Sequence, residues 1–399
     1  MFTIKYSTLY SYLICFCLYI YIYNPPFVFL PVTPNRFLWI VAFMYIIMKH
    51  EFLCFLSCFK KEIFIMLLIC IYSCYVSKGG DASLFVNNNF ITLCDTFLLS
   101  FFFCFIFRKV VIPKQVFYVT LVASLITLLL IMSPALTENV RSILRTDVDK
   151  GSIRFRSFGL SENLTFGYGL VQGILLAFSF SLVKKYNKII WFLPIIFVSI
   201  LFNARIGFVP IVFYFIYLIF LKRDFKLLLK IVVLSTFFLF IILYFPYFGE
   251  LQETVYWGLD FFSQLYEWIV LNDNSGDEGN TISTLLVDMF ILPNSTKALW
   301  FGDGINVRSY TDVGFFQQIN FGGIVLCLIW MYLFKCIYCR WIKNTTLPKW
   351  LIITFMLTLF VANIKGNAFV TTPFLRLLII LYVYDILYFR KKSLVSHKN

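Results

Sequence analysis

The amino-acid sequence predicts an all-α integral membrane protein, and three observations lead to this fold class. Of its 399 residues, 61% are hydrophobic and 21% aromatic, and the mean hydropathy is +0.86, which is more apolar surface than a soluble core can hide. Apolar runs of about 17–25 residues recur, and such runs cross lipid as helices because a helix satisfies its own backbone hydrogen bonds. Strand-like alternation of polar and apolar residues is absent from the sequence, which argues against a membrane barrel.

Apolar runs between charge clusters predict about twelve transmembrane helices in a single polytopic membrane domain, 1–399. Lys5 precedes the first run and no small-residue cleavage site follows it, so we expect an uncleaved first helix. Neither an internal repeat nor a soluble domain is visible. The predicted spans are 7–23, 36–48, 63–77, 91–107, 115–133, 158–183, 189–203, 206–221, 227–248, 313–334, 350–366 and 370–389.

The basic clusters fall in alternate loops and therefore lie on one side of the predicted membrane. By the positive-inside rule that side is cytoplasmic, and both termini are on it. This arrangement explains the net charge of +14 better than nucleic-acid binding does. The eleven cysteines lie in predicted spans or at their cytoplasmic ends, so no disulfide framework is expected.

Lysine and arginine divide unequally between the two predicted sides. The inner side has 18 Lys and 4 Arg, whereas the outer side has 4 Lys and 8 Arg. Arginine has a planar fork that binds phosphate and carboxylate in a bidentate way, whereas lysine suits simple charge anchoring. The outer arginines therefore suggest an anionic ligand that is handled outside the cytoplasm.

Two large outer loops are predicted. The first, 134–157, is basic, and the second, 249–312, is acidic with ten carboxylates. Near the start of the second loop, polar and apolar residues alternate with helical spacing between 251 and 269. This pattern predicts an amphipathic helix on the outer membrane surface.

The sixth predicted span begins with an unusual polar cluster that contains Arg154, Arg156, Glu162 and Asn163. Polar groups in a span are costly unless they face a wet cavity or a partner, and a helix N-terminus beside arginines favours an anion. The alternative is that both arginines reach lipid phosphates while Glu162 pairs with one of them.

Three further arginines lie where outer loops meet predicted spans. Arg205 occupies a tight hairpin between two apolar runs, in which Gly207 would allow close helix packing. Arg308 and Asp312 belong to a glycine-rich polar stretch at the end of the acidic loop. Arg376 follows Pro373 at the start of the last span. Its side chain could either anchor the helix at the membrane interface or contact the ligand.

The order of these motifs resembles the O-antigen polymerase and ligase superfamily over about residues 150–335. The resemblance rests on R-x-R-S-F-G-L-S-E-N before a span, N-A-R-I-G in an outer hairpin, and a long outer loop that ends in F-G-D-G-I-N and D-V-G-F-F-Q-Q-I-N-F-G-G-I-V. It implies polymerisation of undecaprenyl-pyrophosphate-linked oligosaccharide repeat units at the outer face of the bacterial inner membrane. The product would be O-antigen or a related surface polysaccharide.

The resemblance also implies roles for particular residues. Arginines would stabilise the charge of the pyrophosphate leaving group, and a carboxylate would act as general base on the acceptor hydroxyl. The implied catalytic residues are Arg156, Arg205, Glu162 and Asp312, and the implied substrate-binding residues are Arg154, Asn163, Arg308 and Arg376. The expected partners are the lipid-linked oligosaccharides, membrane lipid, a chain-length regulator and a flippase, with no metal, cofactor or nucleic acid.

Other functions remain open at this point. The related ligases have a histidine in the large outer loop, but His50 and His397 lie on the predicted cytoplasmic side, which favours a polymerase. A flippase for the same lipid would suit twelve spans, although only Asp95 and Asp385 are acids in the middle of spans. A membrane acyltransferase would need a buried histidine, and no predicted span contains one.

Overall fold

A computed structural model gives the fold, and helices joined by loops make up the described part of the chain, with no β-strand in it. Statements about side chains and contacts below concern these residues. The structure describes residues 6–48, 56–77, 82–107, 110–144, 158–164, 166–182, 187–226, 229, 233, 236, 240, 289–307, 310–370 and 372–396.

Six of the described helices, α1 to α6, precede residue 158. They are α1 (Tyr6–Tyr23), α2 (Pro34–Met48), α3 (Lys60–Val76), α4 (Ala82–Ile91, continuing through a π-helical turn at Thr92–Leu98 into Leu99–Ile106), α5 (Ile112–Met132) and α6 (Pro134–Ile143).

The later helices are α7 to α13. They are α7 (Gly167–Leu182), α8 (Leu193–Leu201, after a 3-10 turn at Asn187–Phe192), α9 (Val209–Ile216, between a 3-10 turn at Arg205–Phe208 and a π-helical turn at Tyr217–Lys222), α10 (Thr296–Phe301), α11 (Gly314–Trp341), α12 (Lys349–Lys365) and α13 (Pro373–Ser396).

Three helical stretches are long and apolar enough to cross a membrane by length and composition: Ser83–Ile106, Ile112–Met132 and Gly314–Trp341. Shorter apolar helices accompany them. A described helix overlaps eleven of the twelve predicted spans. Of the remaining span, 227–248, only residues 229, 233, 236 and 240 are described, and the predicted amphipathic helix at 251–269 lies outside the described residues. The loop predicted at 134–157 begins instead with the amphipathic helix α6.

The last helix, α13, forms the centre of the bundle. Every residue from 372 to 386 is buried, and α13 packs against α1, α4, α5, α7 and α11. Its apolar side chains are spread over all faces, which is typical of a helix that is surrounded by others. Two charged residues, Arg376 and Asp385, are nevertheless buried on this helix.

Glycines bring α7 against the turn that starts at Arg205. A Cβ on Gly173 would lie 1.9 Å from the carbonyl oxygen of Gly207, and one on Gly207 would lie 2.5 Å from that of Gly169. Gly169 and Gly173 are four residues apart and therefore share a helix face. The close approach expected at Gly207 is thus present.

Helix α11 is broken at Gly323, whose φ of 70° and ψ of −177° are outside the helical region. The polar stretch after α10 fills the break, because the N–H groups of Asp303 and Gly304 donate to the carbonyls of Asn320 and Phe321. The hydroxyl of Tyr72 on α3 donates to the carbonyl of Gly322 at 3.0 Å. Carbonyls that the break would leave unpaired are therefore satisfied.

Buried acids at the predicted inner end have internal partners. Glu62, 2% exposed, forms an ion pair with Arg340 at 2.9 Å and accepts a hydrogen bond from the hydroxyl of Tyr382. Asp385 accepts from the indole N–H of Trp341 at 2.7 Å and from both the backbone N–H and the hydroxyl of Thr346, in the loop before α12. These contacts hold the α11–α12 loop against α13.

Candidate functional site

The polar segment 158–166 lies before α7 rather than within a span. The sequence predicts a helix from 158, but α7 begins at Gly167, so Glu162 and Asn163 precede the helix. The hydroxyl of Ser161 and the N–H of Glu162 both donate to the carbonyl of Tyr23, at 3.1 Å and 2.9 Å. Carbonyls in the last turn of a helix lack intrahelical partners, so the end of α1 supplies a docking point for this segment.

The centre of this region is an ion pair between the buried Arg376 and the partly buried Glu162. The Nη1 atom of Arg376 lies 2.6 Å from Oε1 of Glu162, and the arginine side chain is only 1% exposed. The other carboxylate oxygen of Glu162 accepts from the amide of Asn24 at 2.5 Å. Arg376 also donates to the carbonyl of Ile22 at 3.3 Å, and a cation is favourable at this negative C-terminal end of α1.

The starts of α7, α11 and α13 meet beside this ion pair. A Cβ on Gly167 would lie 2.7 Å from Cδ of Pro373, the first residue of α13. One on Gly314, at the start of α11, would lie 2.6 Å from the carbonyl oxygen of Gly366, and Gly366 in turn faces the ring of Phe166. Three helix N-termini therefore converge on the loop that follows α12.

A polar cavity of about 440 Å³ lies at this convergence. Two of the predicted site residues, Asn163 and Asp312, line it together, and Asp312 is exposed to it. The apolar lining includes Phe85 and Phe166. The polar lining residues are Asn88, Asn163, Asn306, Asp312, Gln317, Lys365, Asn367 and Thr372.

Side chains next to the helix starts already occupy several of the backbone N–H groups there. The amide oxygen of Asn163 accepts from the N–H groups of Phe166 and Gly167, at 3.1 Å and 3.0 Å. The hydroxyl of Thr372 accepts from the N–H of Leu375 at 3.1 Å. These contacts are N-terminal caps, which explains why Asn and Thr stand at these positions. The chemistry left to the cavity is that of a carboxylate, a lysine and several side-chain amides.

The remaining predicted site residues are four arginines, and the structure describes only the backbone of one of them, Arg205. Arg154, Arg156 and Arg308 lie outside the described residues. The backbone of Arg205 starts a 3-10 turn, and its neighbour Ala204 packs on Gly169 one half-turn into α7; the side chain of Arg205 is not among the described ones. The structure thus brings Glu162, Asn163, Asp312 and Arg376 to the same end of the bundle as this turn.

One additional arginine lies close to this region. The guanidinium of Arg141 on α6 packs over the ring of Phe158 with its Cζ atom 5.0 Å from the ring centre. Burial lowers the pKa of Arg141, while the nearby Glu138 carboxylate opposes this shift. An arginine remains charged at neutral pH even so, and it lies next to the end of the polar segment.

Several lining residues carry no signal in the sequence. Asn88 is one of three consecutive asparagines on α4, Lys365 is the last residue of the apolar helix α12, and Asn367 follows that helix. Only the packing of α4 and α12 around the start of α11 places them with Asp312. Asn24 could have been suspected, because an Asn directly after an apolar run is common at helix ends, and its φ is 42°.

Within the described residues, no group of three or more His, Cys, Asp or Glu side chains is arranged to hold a metal ion.

No protein-family model matches this chain, no curated protein is similar to it, and no solved structure is similar to it.

Proposed function

We propose that this protein polymerises lipid-linked oligosaccharide repeat units at the outer face of a bacterial inner membrane. The observation that carries the proposal is the polar cavity at the starts of α7, α11 and α13, which is lined by the carboxylate of Asp312 and flanked by the Glu162–Arg376 ion pair. The order of the arginine-containing motifs in the sequence also supports this function. A helical bundle with membrane-spanning stretches suits a lipid-linked substrate.

The proposed reaction transfers a growing glycan from its polyprenyl pyrophosphate carrier to a hydroxyl of the next carrier-linked unit. The hydroxyl oxygen forms a bond to the anomeric carbon, and the bond from that carbon to the pyrophosphate oxygen breaks. The pyrophosphate leaves with the bonding electron pair, and the hydroxyl proton goes to a carboxylate base. The atoms and electrons of the reaction therefore balance with the two substrates and the base alone, without a metal or an oxidant.

Asp312 is the better of the two candidate bases. It is exposed and lines the cavity, whereas Glu162 already shares its carboxylate between Arg376 and Asn24. Both oxygens of the Glu162 carboxylate thus have a partner within the protein, whereas a general base must lie within hydrogen-bond reach of the proton that it takes. We assign Glu162 and Arg376 to positioning the segment that carries Asn163, and Asp312 to proton transfer.

The arginines Arg156 and Arg205 are assigned to the pyrophosphate, with Arg154 and Arg308 assisting. Preorganised cations beside a leaving group that develops charge lower the barrier in a water-poor site. Lysine keeps the charge but lacks the bidentate fork. Arg156→Lys and Arg205→Lys should each abolish chain growth at normal protein levels; normal glycan length in both variants would contradict this assignment.

Deletion of the gene tests the function as a whole, with the surface glycan separated by size. Single capped repeat units are expected for a polymerase. Loss of all surface glycan with the lipid-linked unit trapped inside would show a flippase, and free polymer that never reaches its final acceptor would show a ligase. The flippase is the less favoured alternative because Asp95 and Asp385 each accept a tryptophan N–H, from Trp39 and Trp341, and are thus internal anchors.

A further inference from the structure

The polar cavity has a lining that is rich in side-chain amides. Five carboxamides contribute to it, and a carboxamide has both donor and acceptor atoms. Three of them use one of these atoms within the protein: the amide oxygens of Asn163 and Asn367 accept hydrogen bonds, and the amide N–H of Gln317 donates to the carbonyl of Thr311. The formal charges in the described lining, one carboxylate on Asp312 and one ammonium on Lys365, cancel. The carboxamides belong to Asn88, Asn163, Asn306, Gln317 and Asn367. Such a lining matches a neutral ligand with many hydroxyl groups better than a multiply charged one.

Two of the three helix starts at the cavity, those of α7 and α13, are already capped by side chains, whereas α11 has no side-chain cap. A helix N-terminus binds phosphate through N–H groups that point at the ligand. Here the N–H groups of Phe166 and Gly167 donate to Asn163, and that of Leu375 donates to Thr372. A phosphate at the starts of α7 or α13 would compete with these caps, whereas a neutral sugar can bind to side-chain amides without displacing them.

Aromatic rings complete the chemistry of the lining. Phe85 stacks on Phe321 with ring centres 4.5 Å apart, which holds its ring in place, and Phe166 lies against Gly366. Both phenylalanines line the cavity. A sugar ring has apolar C–H faces and a polar edge of hydroxyls, so it needs an apolar surface and surrounding donors and acceptors together. The volume of about 440 Å³ is in the ordinary range of small-molecule sites.

We infer that this cavity is a carbohydrate subsite that binds the neutral sugar whose hydroxyl is the acceptor, with Asp312 facing that hydroxyl. The inference rests on the proposed function and assigns the acceptor sugar and the pyrophosphate to two different binding sites. The acceptor sugar occupies the amide-lined cavity, and the pyrophosphate is bound elsewhere, by Arg156 and Arg205.

Asn88 offers the sharpest test, because neighbouring asparagines on α4 provide a matched control. Asn88 lines the cavity, whereas Asn87 is exposed and does not line it. The purified full-length chain in detergent micelles is titrated with D-glucose, D-galactose and N-acetyl-D-glucosamine, and binding is followed by saturation-transfer NMR. Inorganic pyrophosphate is titrated separately and followed by phosphorus NMR. Wild type, Asn88→Leu and Asn87→Leu are compared.

We expect at least one of the three sugars to bind the wild-type chain and Asn87→Leu equally, and Asn88→Leu to bind it about tenfold more weakly, as the loss of one or two hydrogen bonds predicts. Pyrophosphate binding should be the same in all three chains. The inference is overturned if none of the sugars binds, if Asn88→Leu binds sugar normally, or if Asn88→Leu loses pyrophosphate instead.

Failure of this inference is distinguishable from failure of the proposed function. If gene deletion leaves single capped repeat units while Asn88→Leu has normal sugar binding, the chain is a polymerase whose acceptor sugar binds elsewhere. If deletion traps lipid-linked units inside while sugar binding depends on Asn88, the subsite stands and the polymerase proposal is wrong.

Discussion

A buried arginine is tolerated in this protein because its charge has partners from two directions. Arg376 meets the Glu162 carboxylate and a carbonyl from the last turn of α1, where the helix dipole is negative. A buried ion pair contributes little net stability because both charges are desolvated, but removal of one partner leaves an uncompensated charge. The pair therefore fixes the position of the polar segment more than it stabilises the fold.

The Glu162→Gln substitution tests this description. Glutamine keeps the shape and can still accept from Asn24, but it leaves Arg376 unpaired, so we expect a loss of stability toward the lower end of about 3–5 kcal/mol, since Glu162 is one fifth exposed. Thermal unfolding of the purified chain measures the change. The double variant Glu162→Gln with Arg376→Met should recover most of it. Normal stability with lost activity in the single variant would instead favour Glu162 as the base.

Asp312→Asn tests the assignment of the base. Asparagine keeps the size of the side chain but cannot take the proton, so glycan chain growth should fall by about 10²–10⁴-fold, the usual contribution of general base catalysis. The rate is measured as chain extension in membrane vesicles, with protein level checked alongside. Asp303→Asn is the matched control, because Asp303 is in the same stretch but does not line the cavity. Equal rates in both variants would exclude Asp312.

At the scale of elements, the break in α11 is the feature that shapes the site. Gly323 has a backbone conformation that a residue with a Cβ adopts only under strain, and a Cβ there would lie 2.2 Å from the carbonyl oxygen of Trp300. The break lets the stretch after α10 dock between the halves of the helix. The start of α11, with Asp312 before it, can therefore turn toward Gly366 and α12.

Tyr72→Phe should loosen this arrangement. The hydroxyl of Tyr72 lies 3.0 Å from the carbonyl oxygens of both Phe301 and Gly322 and shares its single proton between them, so its loss removes one donor from this pair of carbonyls. We expect a destabilisation of about 1–3 kcal/mol, which a lower midpoint of thermal unfolding would report. Tyr75→Phe serves as control because Tyr75 is 86% exposed on the same helix. The same midpoint for both variants would argue against this role of Tyr72.

At the scale of the whole molecule, the buried charged side chains of the described residues lie toward two ends of the bundle. The Glu62–Arg340 pair and Asp385 lie toward the end that the sequence predicts to be cytoplasmic, and the Glu162–Arg376 pair lies toward the other. Between them α13 is surrounded by apolar side chains. Two polar ends with an apolar middle are the distribution that a membrane-spanning bundle requires.

The orientation of these two ends can be tested with reporter fusions to the full chain. Alkaline phosphatase inserted in the acidic loop, at residue 280, should be active because it folds outside the cytoplasm, whereas phosphatase joined after Asn399 should be inactive. Green fluorescent protein at the same two positions should give the opposite pattern. Active phosphatase at Asn399 would reverse the predicted topology and move the cavity to the cytoplasmic side.

The sequence by itself determined the helical class and the approximate position of most helices, because long apolar runs have few alternatives to helix in lipid. It also drew attention to Glu162, Asn163, Asp312 and Arg376, because polar residues beside apolar runs are costly and therefore conspicuous. It placed the first two inside a span, since hydropathy cannot show that the segment before Gly167 is held by the end of α1.

Only the tertiary structure decided which of these residues share a site. Glu162 and Arg376 are far apart in the chain, and so are Asn163, Asp312 and Asn88, so no spacing along the sequence relates them. Their contact depends on close packing of three helix starts, where Gly167 and Gly314 leave no room for a side chain. Packing in three dimensions, rather than residue type, therefore selects the carboxylate that faces the cavity and the one that is held by an arginine.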